Sequence, residues 1–276
     1  LKGIFMFKTD DRLVQICLGI CYFIAAMYAM INFFNPDYLI DRYGTLDATD
    51  TNRFFLGWYG MMNFGFVAGL IYMGYKGLDR AFFTYAVPLA ILFLIWGVSG
   101  QMAADESDQN YTAVGFFVIQ LIAIIVARAR AFGMNFDFTK ADNMWGTSDK
   151  LCQTILWLGL ATQAFFVVGY FINPSQLITD TPGLELNEVS QRFATGVMYF
   201  SIAWTIALLY QLRTGYSMSL IVTGLITSIM FFAVFLNFAA AGLTSVGGEM
   251  NTLLAFAIIG NFVGSLILFF RLQGNH

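Results

Sequence analysis

Histidine is almost missing from this chain: the one His stands at the last position, His276. With no histidine in the apolar runs, none of them offers the usual axial ligand for haem or a chlorophyll-type pigment. A Ser/His/Asp relay is excluded on the same ground. Cysteine is scarce as well. Cys17, Cys21 and Cys152 fall in or beside apolar runs and read as small buried hydrophobes. No His/Cys/carboxylate cluster is spaced for zinc or a di-iron centre, so no cofactor and no metal are expected. Phosphate-cradling glycine loops are missing too; the glycines are spread through the apolar runs, as small residues at helix contacts are. Charge is the largest deficit. Charged residues make up 11% of the chain, against about 25% in an ordinary soluble domain. A net charge of −3 argues against nucleic acid as a partner. No run carries Asp, Glu, Lys or Arg at its centre, which counts against a proton-coupled pump.

What is present is apolar. Of 276 residues 58% are hydrophobic, 30 of them Phe, and the mean hydropathy is +0.69. Such a chain needs lipid as solvent. A bilayer core takes about 20 apolar residues in helix, and eight runs qualify: 13–34, 54–75, 81–100, 111–127, 151–172, 193–212, 216–240 and 252–270. The expected fold is all-α, a polytopic integral membrane protein with eight transmembrane helices. Of 14 basic residues only Arg42, Arg53 and Arg192 fall in the connections of one side. Basic residues mark the cytoplasmic face, so both termini are expected there. The chain opens on Leu1 rather than Met, which leaves room for a segment upstream.

The same heading is written twice. "TDDRLVQ" (9–15) opens the first run and "TSDKLCQ" (147–153) opens the fifth. Phe33, Asn35, Pro36, Leu39 and Ile40 recur at the same spacing as Phe171, Asn173, Pro174, Leu177 and Ile178. With one extra residue the match reaches Arg53, Phe54 and Gly57, against Arg192, Phe193 and Gly196. This pattern predicts two four-helix repeats, residues 1–127 and 149–276, joined by an interfacial linker over 128–148. Four spans are an even number, so the copies should be parallel and related by a pseudo-two-fold axis along the membrane normal. The linker mixes Arg and Lys with Phe132, Phe136, Phe138 and Trp145, the composition of a segment lying in the cytoplasmic interface. Pro88 should bend the third helix.

Within the heading, Thr and Asp suit a helix start, and Gln15 and Gln153 lie one turn deeper. "NPDYLIDRYG" and "NPSQLITDTPG" each read as a short helix on the outer surface, with Leu39, Ile40, Leu177 and Ile178 dipping into the membrane interface. Arg53 and Arg192 begin the second span of each copy. An Arg there snorkels to headgroups, or holds an anionic group or an acid such as Asp50 or Glu188. The deepest amides are Asn63, Gln120, Gln163, Asn237 and Asn261. They form interhelical hydrogen bonds or line a neutral polar site between the copies.

The order Asn-Pro, a few apolar residues, a Gly-containing turn, then Arg before a Gly-rich span resembles an uncharacterised bacterial four-span membrane domain family. The residues that carry it are Asn35, Pro36, Gly44, Arg53, Gly57 and Gly60, and Asn173, Pro174, Gly183, Arg192 and Gly196. The family's Tyr-Gly-Gly after the Arg is replaced by "GWYG" and "TGVMYF". The resemblance implies a tandem duplication of that fold in a bacterial inner membrane and leaves the activity open.

Three function classes remain. The first is a non-catalytic membrane protein, either an accessory or scaffold subunit or a binder of a lipid-like or pigment-like apolar ligand. The second is a transporter or channel for a neutral or anionic solute. The third is a lipid-modifying enzyme. Membrane lipids are the expected partners, with other membrane subunits beside them in the accessory case.

Overall fold

A helix leaves its first amide hydrogens without intrahelical partners, and a short side chain at the N-cap accepts them. Asp11 accepts from Leu13 and Val14, Asp79 from Ala81 and Phe82, and Asp149 from Leu151 and Cys152. Thr49 and Asn187 cap two longer helices in the same way. Gly77 and Gly215 stop helices with φ of +123° and +109°, a region costly for residues with a Cβ.

The computed structural model describes residues 7–42, 49–103, 109–133, 135, 139–179, 184–240, 245–246, 249–250 and 252–273. Its helices are α1 (Arg12–Phe34), α2 (Pro36–Arg42), α3 (Asp50–Lys76), α4 (Arg80–Met102), α5 (Thr112–Phe132), α6 (Lys150–Ile172), α7 (Ser175–Thr179), α8 (Glu188–Thr214), α9 (Met218–Ala240) and α10 (Thr252–Leu272). The fold is all-α apart from a ribbon of two short strands, β1 (Ser245–Val246) and β2 (Glu249–Met250). Among the described residues six helices, α1, α3, α4, α5, α6 and α8, are long and apolar enough to cross a membrane. In α9 and α10 the described apolar stretches are shorter, Met218–Val234 and Ile259–Leu272. This is the build of a helical membrane protein. α4 continues through Pro88 without a break in the helix.

In the first half α1 packs on α3 and α5, and α4 on α5; in the second α6 packs on α8 and α10, and α9 on α10. Across the halves α3 packs on α9 and α4 on α8. α3 also meets α8, and α4 meets α9, so these four form the centre of the molecule. The approach of α3 to α9 is set by small residues. A Cβ at Gly65 would stand 1.9 Å from the Thr227 hydroxyl, and one at Gly69 2.1 Å from that of Thr223. Apolar side chains gain little by leaving lipid for each other, so close backbone packing of this kind is what joins helices in a membrane.

The repeated heading has a structural meaning. Gln15 turns its amide back to donate to the Thr9 carbonyl, and Gln153 does the same to Thr147. Asp11 pairs with Arg130 at 2.8 Å, and Asp149 with Arg271 at 2.6 Å. Each heading thus fastens the start of one helix to the end of another, α1 to α5 and α6 to α10.

Two expectations change in position. Leu39, Ile40, Leu177 and Ile178 are buried in the protein core rather than in the membrane interface. The two short helices turn these residues inward, against α3 and α8. The linker is likewise not purely interfacial. Arg128 belongs to α5, is buried, and donates to the Gly133 and Asn135 carbonyls just past the end of that helix. Trp145 is fully buried in a φ of +61°, its ring against Trp157, while its carbonyl accepts from Tyr216. Phe136 and Phe138 lie outside the described residues.

Candidate functional site

The site forms where α1 and α4 end and α3, α5 and α8 begin. These five helices enclose a cavity of about 450 Å³, with Leu39 of α2 also lining it. The volume falls inside the range of about 300–1,000 Å³ for small-molecule sites. One wall is aromatic. Phe93 meets Phe200 at 4.6 Å between centroids, and Tyr59 meets Trp96 at 5.5 Å.

Two hydrogen bonds hold α8 to that wall. The Tyr59 hydroxyl donates to the Phe193 carbonyl and the Trp96 indole N–H to the Arg192 carbonyl, each at 2.8 Å. Gly196 leaves room for the first: a Cβ there would stand 1.8 Å from the Tyr59 hydroxyl oxygen.

The polar lining is mostly amide. Asn32 is only 5% exposed, and its Oδ1 has no hydrogen-bond partner among the described residues. A buried amide left without a partner costs about 1–3 kcal/mol, so a group that meets it stabilises the site. Asn63 donates to the Tyr59 carbonyl one turn back, at 2.9 Å. Gln120 lines the cavity from α5. No carboxylate, histidine or cysteine side chain lines it among the described residues.

The two arginines are placed differently. Arg53 is at the rim outside the cavity and donates to Asp37 at 2.8 Å and to Asp50 at 3.2 Å. Arg192 lines the cavity. Its guanidinium reaches two carbonyls at the end of α4, Gly100 at 3.4 Å and Ala103 at 3.5 Å, and pairs with no carboxylate among the described residues. Asp105, Glu106 and Asp108, which follow α4, lie outside those residues.

The structure therefore brings Asn63, Gln120 and Arg192 together around one cavity, lined by helices α1 to α5 of the first half and by α8 of the second. Gln15 and Gln153 belong to the helix starts, and Asn261 is exposed on α10. Gln163 is half-buried on α6, and the Asn237 side chain lies outside the described residues. Sequence reasoning missed Asn32, Tyr59 and Trp96. Asn32 sits two residues from the end of its run, where an amide reads as interfacial, and no pattern marks which apolar-run aromatics share a wall. No protein-family model matches the chain, and no curated protein or solved structure matches it either.

Proposed function

We propose that this protein is a non-catalytic membrane protein that binds one lipid-like or otherwise apolar small molecule in the cavity between α1, α3, α4, α5 and α8. The observation that carries the reading is the unpartnered Asn32 amide, nine-tenths buried and lining a cavity of ligand size among aromatic rings. Such a lining offers shape, apolar contact and a few orienting amides. Among the described residues it offers no paired nucleophile and base for chemistry on the ligand.

The scaffold of the proposal is a tandem duplication of the four-span unit the sequence resembles. The mirrored helix pairs support it, as do the matched Asp11–Arg130 and Asp149–Arg271 pairs. Asp79 and Ser217, the residues directly before α4 and α9, also hydrogen-bond to each other as residues beside a two-fold axis do. Eight spans with both termini cytoplasmic in a bacterial inner membrane complete the reading, with the cavity at the outer end.

The experiment is extraction of the protein from native membrane in mild detergent, followed by mass spectrometry of what remains bound. One retained species near equal stoichiometry, lost in Asn32→Leu/Asn63→Leu, is expected. Only bulk lipid, in the same mixture for parent and variant, overturns the reading.

A further inference from the structure

From the guanidinium in its wall, we infer that the cavity takes a single-chain amphiphile with an anionic head, a carboxylate or phosphate, seated on Arg192. This rests on the binding reading above and names its ligand class.

Internal comparison carries the inference first. Arg53 and Arg192 stand at matched positions, but, among the described residues, only Arg53 is held by acids. Asp37 of the first half is matched by Ser175 in the second. Glu188 opens α8 as Asp50 opens α3, yet among the described residues it makes no ion pair with Arg192, as Asp50 does with Arg53. The arginine thus recurs where the acid bracing that holds Arg53 does not.

Geometry carries it second. The guanidinium has five N–H donors in a planar fork suited to carboxylate or phosphate. Two of them reach carbonyls, at 3.4 and 3.5 Å, at the long limit of a hydrogen bond. The rest of the fork has no described partner, and no acid among the described residues lines the cavity to neutralise it. The starts of α5 and α8 lie at the same end, contributing Ala113, Val114 and Val189 to the lining, and helix N-termini favour negative charge. Asn32 is the second unbonded group. Its amide can present either NH2 or C=O to the ligand.

Size and polarity carry it third. Below this end the lining becomes apolar, with Phe66, Ala86, Leu89 and Ile124. A volume of about 450 Å³ suits one chain rather than the two of a bilayer phospholipid.

The test titrates purified protein in detergent with brominated palmitate, the matching brominated long-chain alcohol and a single-chain alkyl phosphate. Quenching of tryptophan fluorescence reports occupancy, because Trp96 lines the cavity. Palmitate or the phosphate should bind about tenfold or more tighter than the alcohol, and the tighter of the two identifies the head. Arg192→Gln should abolish that preference by weakening binding of the acid, whereas Arg53→Gln should keep it. If Arg192→Gln does not fold, Arg192→Lys and the salt dependence of the parent give the same answer, since only a charge-held head weakens with salt. Equal affinity of the parent for acid and alcohol overturns the anion inference and leaves the binding reading standing. So does equal loss of preference in both variants. Absence of quenching by any probe overturns both.

Discussion

At the start of α3, Arg53 is held by two carboxylates, Asp37 at 2.8 Å and Asp50 at 3.2 Å. At the start of α8 the matched Arg192 reaches, among the described residues, only carbonyls at the end of α4, 3.4 and 3.5 Å away. The positions lining the cavity diverge in the same sense. Asn32, Tyr59 and Asn63 in the first copy correspond to Tyr170, Met198 and Ile202 in the second. The first half holds the amides of the cavity, and the second lends it an arginine with no acid partner among the described residues. On the proposed duplication, two equivalent frames have diverged to leave one site between unlike parts.

The sharpest way to break this comparison is at the matched glycines. Gly196→Ala should destabilise by about 1–3 kcal/mol, because the new methyl displaces the Tyr59 hydroxyl from the Phe193 carbonyl in a packed wall. At Gly57 a Cβ meets only Val234, at an ordinary 3.7 Å. Gly57→Ala should therefore be neutral or stabilising by up to about 1 kcal/mol through helix propensity. Thermal unfolding of both variants in detergent decides it, and equal destabilisation removes the asymmetry claimed for α8.

A somewhat smaller effect is expected at Asn32. Replacing the unpartnered amide with Leu should raise ligand-free stability by about 1–2 kcal/mol, since the buried polar group no longer goes unpaired. The same substitution should weaken retention of the native ligand. A lower melting temperature in ligand-free protein counts against Asn32 being a binding group.

Smaller again is the contrast between the arginines without ligand. Arg53→Gln loses two exposed ion pairs, about 0.2–1 kcal/mol each, and that loss should vanish at high salt. Arg192→Gln loses none among the described residues and should melt within about 0.5 kcal/mol of the parent in ligand-free protein at any salt. A salt-sensitive loss at Arg192 would reveal an acid partner there.

The smallest effect lies in acid. The hydrogen bond from Arg271, then that from Cys152, hold the Asp149 carboxyl below its ordinary value of 3.8. For Asp11 desolvation pushes upward, but the Val14 and Arg130 hydrogen bonds outweigh it and the value is again lowered. A carboxyl with a depressed folded pKa stabilises above its ordinary pKa, and that contribution fades as pH falls through the folded value. Melting temperature should therefore drop below about pH 4. The drop should be shallower in Asp149→Asn and in Asp11→Asn, and a parent-like acid profile in both variants removes the pairs from the account.

Helix existence was legible in the chain because lipid requires long apolar runs whose backbone bonds close within themselves. The eight runs, the capping aspartates and the doubled heading could all be read along one dimension. So could the equivalence of Arg53 with Arg192, since matched spacing needs no coordinates. Which face of each helix points inward could not be read, because several runs are apolar on every side and lipid and protein interior are equally apolar. Tertiary structure alone decided that α3 leaves α4 to pack on α9, where Gly65 and Gly69 admit Thr227 and Thr223. It also decided that Leu39 and Ile178 turn into the core, that Trp145 is buried, and that Asn32, Asn63, Gln120 and Arg192 meet around one cavity. The physical reason is that sequence spacing fixes an amide's depth in the membrane, whereas its partners are fixed by how closely small residues let the neighbouring backbones approach.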